Sequence, residues 1–292
     1  MRAQLNKTIK RLFFKNKKLF LILGDIGVYG FKDILRSKRA INIGILEQAS
    51  ISFAAGLAKI GFIPIFHTIA TFMVGRAFEQ LKLDFGYNKL NGNFISVGAS
   101  YDYAALGCSH HCPEDINLAK NIPNMQIIVP GNSYEFDKLF LECYSKNIPK
   151  YFRLSSEENK IKCKVKFGKA LVLNQGKMLT VIAVGPVLNI VYDICKKLNV
   201  NLVYYTTIRP FDKDALKKIK IKSKKILIIE PFYSGSITEE IINSFKNQKI
   251  QIENLSVPYR LLTNYGKKEQ HDNNLGFNKK KFEIRLKKLL KN

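Results

Sequence analysis

Short apolar runs alternate with amphipathic stretches along the first 155 residues of the chain. Apolar runs such as LFLIL and FIPIF are typical of buried strands, whereas apolar positions repeated every three or four residues indicate helices. The pattern predicts strands at 19–23, 40–43, 62–66, 93–98, 126–129 and 151–154. It predicts helices between them, near 2–15, 47–58, 75–85, 114–120 and 133–146. Strands that alternate with helices favour a largely parallel sheet covered on both faces.

A second alternation follows a polar, charged segment, EENKIKCKVKFGK. Strands are predicted at LTVIAVG, NLVYY, KILIIE and IQIENL, and helices near 187–198, 212–219, 236–246 and 279–290. We therefore predict an α/β fold with two consecutive three-layer domains, each built on a mostly parallel sheet. The first domain is expected to cover residues 1–157, the linker 158–167 and the second domain 168–292.

The chain is strongly basic, with 48 Lys and Arg against 23 Asp and Glu and a net charge of +25. A charge of this size suits a polyanionic partner. The basic residues are, however, spread along the whole chain, which favours a general compositional bias. We therefore expect neither a nucleic-acid partner nor a membrane surface.

Two segments resemble targeting or membrane-spanning segments without meeting their requirements. The basic start and the LFLIL run are followed by Asp25 and by no small-residue cleavage site, so they do not form a signal peptide. The apolar stretch 51–75 is interrupted by Lys59, Pro64 and His67, which argues against a membrane span. The five cysteines are odd in number and irregularly spaced, unlike a secreted disulfide framework. We expect a cytoplasmic protein.

Glu47 is the first candidate for chemistry, because it opens a predicted helix directly after a predicted strand. Ligands of open parallel sheets bind beyond the carboxyl ends of the strands, so Glu47 is expected at the ligand-binding edge in apolar surroundings. A carboxylate is also favoured at any helix start by the helix dipole. From position alone, the catalytic and the structural interpretations remain equally open.

The string CSHHCPED brings together Cys108, His110, His111 and Cys112. It resembles part of a zinc site, but zinc sites usually have a second, distant pair of ligands and none is visible, so we expect no metal. Either histidine could instead donate a proton or a hydrogen bond to a substrate oxygen. His67, after the FIPIF run, is a third candidate for the pocket or else a structural histidine. No phosphate-binding glycine loop is present in the sequence.

The combination of motifs resembles the transketolase family over essentially the whole chain. NIGILEQ, AAGLAKIGFIPIFHTIATFMVGRAFEQ and GCSHHCPEDI are similar to its pyrimidine-binding domain, and TTIRPFDKDAL and IEPFYSGSITEEI to its C-terminal domain. The diphosphate-binding domain of the family, marked by GDG and a downstream Asn, has no counterpart in this sequence. The resemblance therefore implies the C-terminal subunit of a split transketolase. It also implies an N-terminal partner subunit, an α2β2 assembly, thiamine diphosphate at the subunit interface, and Mg²⁺ or Ca²⁺ held by the partner.

The resemblance also assigns roles to coenzyme-binding residues. In this family the residue equivalent to Glu47 hydrogen-bonds the aminopyrimidine ring, which makes Glu47 both a coenzyme-binding and a catalytic residue. Phe72 lies where the family stacks an aromatic ring on the pyrimidine, and Ile69 replaces a neighbouring aromatic residue. Asp25 matches a family aspartate near the coenzyme.

The substrate-binding residues depart from the family pattern. His110 matches the catalytic histidine that contacts substrate oxygens, and the resemblance suggests His111, His67 and Arg2 as further substrate-binding residues. The acidic residue that contacts sugar hydroxyls is absent from the string AALG, and Ser156 replaces a phosphate-binding arginine. These losses predict a changed substrate specificity, because burying a substrate hydroxyl or phosphate without a hydrogen-bonding partner is costly. We expect a modified sugar, as in surface-glycan or branched-sugar biosynthesis.

The function implied is the transfer of a two-carbon ketol unit from a ketose donor to an aldehyde acceptor. One alternative uses the same coenzyme: the β subunit of a 2-oxo acid dehydrogenase, or another thiamine diphosphate-dependent carbon–carbon ligase. A second alternative is a catalytically silent, basic binding or scaffolding subunit. Glu47 and His110 argue against silence.

Overall fold

The first sheet contains six parallel strands that follow the predicted pattern. The computed structural model describes residues 1–219, 225–245 and 248–291. The strands lie in the order β5, β6, β4, β3, β1, β2, with β1 at Leu19–Leu23, β2 at Ala40–Asn42, β3 at Ile63–Ile69, β4 at Gly92–Val97, β5 at Gln126–Ile128 and β6 at Pro149–Arg153. The helices of this domain are α1 (Arg2–Lys15), α2 (Val28–Phe31), α3 (Glu47–Lys59), α4 (Phe78–Gln80), α5 (Asp115–Lys120) and α6 (Ser133–Cys143).

The apolar strands are buried on both faces, which produces three layers. All five residues of β1 are buried, and alternate residues enter different cores, with Leu21 in one and Ile22 in the other. The first core includes Phe13 of α1 and Phe136 of α6, whereas the second includes Ile51 of α3. The period-2 alternation of side chains along a strand explains why one continuous apolar run serves both helical layers.

The second sheet has five strands in the order β12, β11, β8, β9, β7. These strands are β7 (Leu171–Asn174), β8 (Thr180–Val184), β9 (Asn201–Tyr205), β11 (Lys225–Tyr233) and β12 (Gln251–Val257). All neighbours are parallel except β7, which is antiparallel to β9. The helices are α7 (Leu188–Lys197), α8 (Lys213–Lys217), α9 (Thr238–Ser244), α10 (Lys268–Leu275) and α11 (Lys279–Lys291). The predicted fold of two α/β domains with mostly parallel sheets is confirmed.

One strand joins the two halves of the chain. β10 (Thr207–Arg209) follows the second-domain strand β9 in sequence but pairs antiparallel with β5, which makes the first sheet seven-stranded. Residues 154–165 form neither helix nor strand. The domain boundaries at 157 and 168 stay a prediction. The predicted helix near 236–246 is described as α9, and its last predicted residue lies outside the described residues.

The predicted helix near 75–85 is wrong in its start and its form. The structure has a π-helical turn at Thr71–Arg76, then α4, then a second π-helical turn at Leu81–Tyr87. The first turn contains β-branched Thr71 and Val74 and then Gly75, all weak α-helix formers, whose low propensity is consistent with the departure from regular α-helix. Single π-turns are frequently found at functional sites. This one carries Phe72.

The strand order determines which segments meet at the ligand-binding edge. Because β6, β4, β3, β1 and β2 are parallel neighbours, the residues that follow them lie along one edge of the sheet. In this order they include Ser156, the loop with His110, Phe72, Asp25 and Glu47. Across the described ranges, no helix is long and apolar enough to cross a membrane.

Candidate active site at the carboxyl edge of the first sheet

Glu47 is a buried carboxylate at the start of α3. Its exposed fraction is 1%, and it is the first residue of the helix that follows β2. The partial positive charge of a helix N-terminus favours a carboxylate there. Burial of a charged group is costly unless the group is paired, so the partner of Glu47 is informative.

Arg76 is that partner. Its Nη1 donates a hydrogen bond of 2.6 Å to Oε2 of Glu47, and its guanidinium carbon lies 4.3 Å from the centre of the Phe72 ring. The expected apolar surroundings of Glu47 therefore also contain a cationic partner. The π-helical turn that ends at Arg76 brings the guanidinium to the start of α3. Arg76 is not among the predicted site residues, although it is the first residue of the Arg-x-x-Glu-Gln string in the family-like segment.

Phe72, His110 and Tyr103 form a continuous aromatic group beside this ion pair. The rings of Phe72 and His110 meet edge to face with their centres 5.3 Å apart, and those of His110 and Tyr103 lie 6.4 Å apart. The Oγ of Ser109 lies 3.0 Å from Nδ1 of His110. The structure therefore brings together Glu47, Phe72 and His110 through direct side-chain contacts, with Arg76 as the connecting residue.

A buried arginine fixes the base of the loop that carries His110. The loop closes where the amide of Cys112 donates to the carbonyl of Ser100 at 2.6 Å. Arg153, which is 1% exposed, donates from Nη2 to Oγ of Ser100 at 2.7 Å and from Nε to Asp115 at 2.7 Å. Asp115 also accepts a hydrogen bond from Tyr151. The loop is therefore anchored to β6 by a paired charge in the core.

Asp25 and Ile69 lie at the same edge but outside this group of direct contacts. Asp25 has a left-handed backbone, with φ 57°, and exchanges two hydrogen bonds with Asn42, at 3.0 Å and 3.1 Å. Ile69 ends β3, and its Cγ2 would lie 3.2 Å from a Cβ placed on Gly98. Both residues border the site.

His67 and His111 are both buried, at 1% and 5% exposed. His67 lies inside β3, which extends three residues beyond the predicted strand, and its Nδ1 is 2.7 Å from the carbonyl oxygen of Ile95. Burial lowers the pKa of His67 to about 4, so the ring is neutral. His111 contacts His271 of α10, with 5.6 Å between ring centres. Burial, and then the charge of His271, lower the pKa of His111.

A cavity of about 350 Å³ lies next to the aromatic group. It contains the guanidinium-bearing Arg2 and the carboxylate of Asp102, and Tyr103 is shared with the His110 contacts. Asp102 accepts hydrogen bonds from Oγ of Ser155 at 3.1 Å and from the amide of Ser156 at 2.8 Å, and burial raises its pKa. The lining residues are Met1, Arg2, Ala3, Val97, Gly98, Asp102, Tyr103, Ser155 and Ser156.

The Cys-His-His-Cys string does not form a metal site in the structure. Cys108 is exposed and Cys112 is buried, and His110 and His111 contact different neighbours. Among residues 1–219, 225–245 and 248–291, no group of three or more His, Cys, Asp or Glu side chains is arranged to hold a metal ion.

Two family models match the chain in sequence order. Residues 1–160 match the transketolase pyrimidine binding domain, and residues 168–281 match the transketolase C-terminal domain. A solved structure described as "Split gene transketolase, inactive beta4 tetramer" has a TM-score of 0.85 at 23% identity. The match covers 99% of this chain and 98% of that one, and it shows that the fold is shared.

Two relatives are similar over most of their lengths. An uncharacterized 33.6 kDa protein in the fasciation locus of Rhodococcoides fascians is 34% identical over 260 residues, which are 88% of this chain and 80% of the relative. One of the subunits of the apulose-4-phosphate transketolase of Actinobacillus succinogenes is 29% identical over 217 residues, which are 70% of each protein. The chain therefore belongs to the transketolase family, and it corresponds to the C-terminal subunit of a transketolase that is split over two polypeptides.

Proposed function

We propose that Glu47, Phe72 and His110 form the coenzyme and substrate side of a transketolase active site that a partner subunit completes. The observation that carries this proposal is the buried carboxylate of Glu47 at the ligand-binding edge of the sheet, joined to Phe72 and His110 by consecutive contacts. The reaction is the transfer of a two-carbon ketol unit from a ketose to an aldehyde. As a member of this family, the chain depends on thiamine diphosphate.

The residues present fit the pyrimidine end of this coenzyme. A buried carboxyl group offers a strong hydrogen-bonding partner for an aminopyrimidine, and the half-buried ring of Phe72 offers a stacking surface. Ile69 and Asp25 border the same edge and are assigned to the coenzyme as well. When bound, thiamine diphosphate supplies the carbanion that carries the ketol unit; the protein supplies position and proton control.

Arg76 contacts both of the groups that we assign to the pyrimidine. Its guanidinium donates a hydrogen bond to Oε2 of Glu47 and lies over one face of the Phe72 ring. Its side chain is 40% exposed, so it can move into solvent without unpacking the core. Arg76 thus pairs a buried charge in the free chain, and its exposed side chain would have room to turn away if a pyrimidine took its place.

His110 and the adjacent cavity are assigned to the sugar. Since Oγ of Ser109 engages Nδ1 of His110, we assign Nε2 to the substrate oxygens. The cavity offers the Arg2 guanidinium as a donor and the Asp102 carboxylate as an acceptor, a combination that suits a chain of hydroxyl groups. His111 and His67, both buried, border the site and are assigned to support its loop and its central strand.

The substrate is proposed to be a modified sugar, as in surface-glycan or branched-sugar biosynthesis. The relative from Actinobacillus succinogenes, named for apulose-4-phosphate, supports a sugar outside the ordinary pentose phosphates. Ser156 lines the cavity where the family pattern has an arginine, which also supports altered recognition. A pair that turned over ordinary pentose phosphates as well as a housekeeping transketolase does would contradict this part of the proposal.

The partner is proposed to be an N-terminal subunit that supplies the diphosphate-binding domain and its Mg²⁺ or Ca²⁺, in a cytoplasmic α2β2 assembly. Apolar side chains just before α3 and along it are exposed, namely Ile45 at 64%, Leu46 at 55% and Phe53 at 40%. Exposed apolar side chains grouped beside a functional residue are expected where a partner covers the surface. The description of the solved β4 tetramer as inactive is consistent with this requirement.

The variant Glu47→Gln tests the central claim. The chain is mixed with its N-terminal partner, thiamine diphosphate and Mg²⁺, and the exchange of the thiazolium C2 proton in D2O is followed by NMR. This exchange needs no sugar, so it reports on Glu47 even while the substrate is unknown. We expect Glu47→Gln to slow the exchange at least about 100-fold, as for other general acid–base groups, without unfolding the chain.

The matched control is Glu79→Gln, since Glu79 is an exposed glutamate of the nearby helix α4. It should leave the exchange unchanged. Near-normal exchange in Glu47→Gln would refute the role of Glu47. Release of CO2 from pyruvate, with transfer of the remaining two-carbon unit to lipoamide, would favour the dehydrogenase alternative. If the chain took up no coenzyme with any N-terminal partner, a silent subunit would be favoured.

A further inference from the structure

Tyr265 of the C-terminal domain packs directly on Gly107 of the loop that carries His110. A Cβ placed on Gly107 would lie 2.7 Å from Cε1 of the Tyr265 ring, closer than any ordinary contact. Gly107 also has φ 75° and ψ −171°, a conformation that is essentially restricted to glycine. Both observations show that no side chain larger than that of glycine fits at this position, and the first shows that the Tyr265 ring occupies the space.

Gly107 precedes and hydrogen-bonds the 3₁₀ turn that contains His110. The 3₁₀ turn Cys108–His110 begins immediately after Gly107, and the amide of His110 donates to the carbonyl of Gly107 at 3.0 Å. A displacement of Gly107 therefore moves the backbone of His110. The ring of Tyr265 limits that displacement from the outside.

Two contacts from α10 hold the same loop on either side of His110. Before it, the hydroxyl of Tyr101 donates to Asp272 at 2.6 Å. After it, the ring of His111 packs against His271. The C-terminal domain, which carries none of the proposed coenzyme-binding residues, thus contacts the loop before, within and after the proposed substrate-binding turn.

We propose that Tyr265 is a positioning residue for His110. The proposal rests on the proposed function, since it concerns the histidine assigned there to the substrate. Tyr265 is 72% exposed, so its removal takes little apolar surface out of the core. Its contribution is therefore to the placement of one catalytic turn rather than to folding. Small misplacements of a catalytic group reduce rate steeply, up to about 100-fold for 1 Å.

Histidine NMR tests the proposal independently of any substrate. The chain has four histidines, so selective ¹³C labelling gives few ring signals, and a His110→Gln sample assigns the relevant one. Tyr265→Ala should shift and broaden the His110 signal. Tyr265→Phe keeps the ring, so its His110 signal should match that of the wild type. Tyr259→Ala is the matched control, because Tyr259 is 82% exposed in the same segment but packs on Tyr233.

The kinetic test uses the chain with its partner, coenzyme, Mg²⁺, hydroxypyruvate as donor and glycolaldehyde as acceptor. We expect Tyr265→Ala to lower kcat/KM for the acceptor about tenfold while coenzyme C2 exchange stays normal. An unchanged His110 signal in Tyr265→Ala overturns the proposal, even if the Glu47 test succeeds. If Glu47→Gln loses coenzyme C2 exchange but Tyr265→Ala leaves the His110 signal unchanged, the proposed function stands and only the role of Tyr265 fails.

Discussion

The guanidinium of Arg76 is bound to the carboxylate of Glu47 at 2.6 Å in the free chain. One end of this pair is 1% exposed and the other 40%, so the charge of Glu47 is removed from water while that of Arg76 keeps partial access to it. Loss of the arginine would leave a buried carboxylate without a partner, which is the costly half of breaking an ion pair. The pair therefore contributes to the stability of the free chain at the carboxylate that we propose as the coenzyme contact.

This relationship predicts non-additive effects on the free energy of unfolding. Arg76→Met should destabilise the chain by about 1–2 kcal/mol, the value for a buried pair reduced for the exposure of Arg76. The double variant Glu47→Gln/Arg76→Met should recover about 1 kcal/mol of that loss, because the unpaired charge is gone. Urea unfolding of the wild type, both single variants and the double variant measures this cycle. Strict additivity would show that the contact contributes nothing.

The parts of the fold that local pattern determines were predicted. The LFLIL run lies at β1 as predicted, Leu19–Leu23, because each of its residues is apolar and the period-2 alternation buries them on two faces. The position of Glu47 at the start of α3 was also predicted, since a strand followed by an amphipathic helix fixes where the helix begins. These features need no information from elsewhere in the chain.

The parts that depend on distant contacts were not predicted. β10 is only three residues long and is held by pairing with β5 in the other half of the chain. α10, with the sequence KEQHDNNL, has no apolar periodicity, and its position depends on contacts of His271 and Asp272 with the His110 loop. The pairing of Arg76 with Glu47 joins positions 29 residues apart through an irregular π-turn. Such relationships follow from tertiary structure, which a single sequence pattern does not encode.

His67 predicts a loss of stability in mild acid. Burial lowers its pKa from 6.5 to about 4, so between these values the unfolded chain binds a proton that the folded chain does not. The contribution of neutral His67 to the free energy of unfolding is therefore fully present above about pH 6.5 and is lost as the pH drops toward 4. The total loss is about 3 kcal/mol, at 1.36 kcal/mol per pKa unit.

The measurement is the free energy of unfolding from pH 7 to pH 4 for wild type and His67→Gln, which keeps a donor for the Ile95 carbonyl. The difference between the two curves should shrink or reverse as the pH falls, since only the wild type carries the His67 contribution. His111→Gln should flatten the curve in the same direction, because burial lowers the pKa of His111 as well. Parallel curves for wild type and His67→Gln would contradict this explanation.

Arg2 predicts a specific defect in substrate binding. Arg2 lines the cavity that shares Tyr103 with the contacts of His110, and Glu47 is not one of the lining residues. Arg2→Gln should raise KM for a ketose donor about tenfold, the loss of one hydrogen bond from a charged group, and should leave coenzyme C2 exchange intact. Lys7→Gln is the control, because Lys7 is an exposed cation of the same helix α1. Equal effects of the two substitutions would point to general charge and not to the cavity.

Asp115 predicts that the anchor of the catalytic loop is also a large source of stability. Arg153 and Asp115 are almost completely buried, so Asp115→Asn leaves a guanidinium in the core without its counter-charge, at a cost of about 3 kcal/mol or more. Asp193→Asn breaks the 3.1 Å ion pair with Lys279, but both of its side chains are more than half exposed, so its cost should stay below about 1 kcal/mol. Urea unfolding compares the cost of the two substitutions.

Since Arg153 also binds Ser100 at the base of the loop, Asp115→Asn should broaden the His110 NMR signal under conditions where the chain is still folded. A comparable, small cost for both substitutions would mean that hydrogen bonds to the carbonyl of Pro231 and the hydroxyl of Ser100 are enough to stabilise the buried guanidinium, and that the carboxylate is dispensable to the loop.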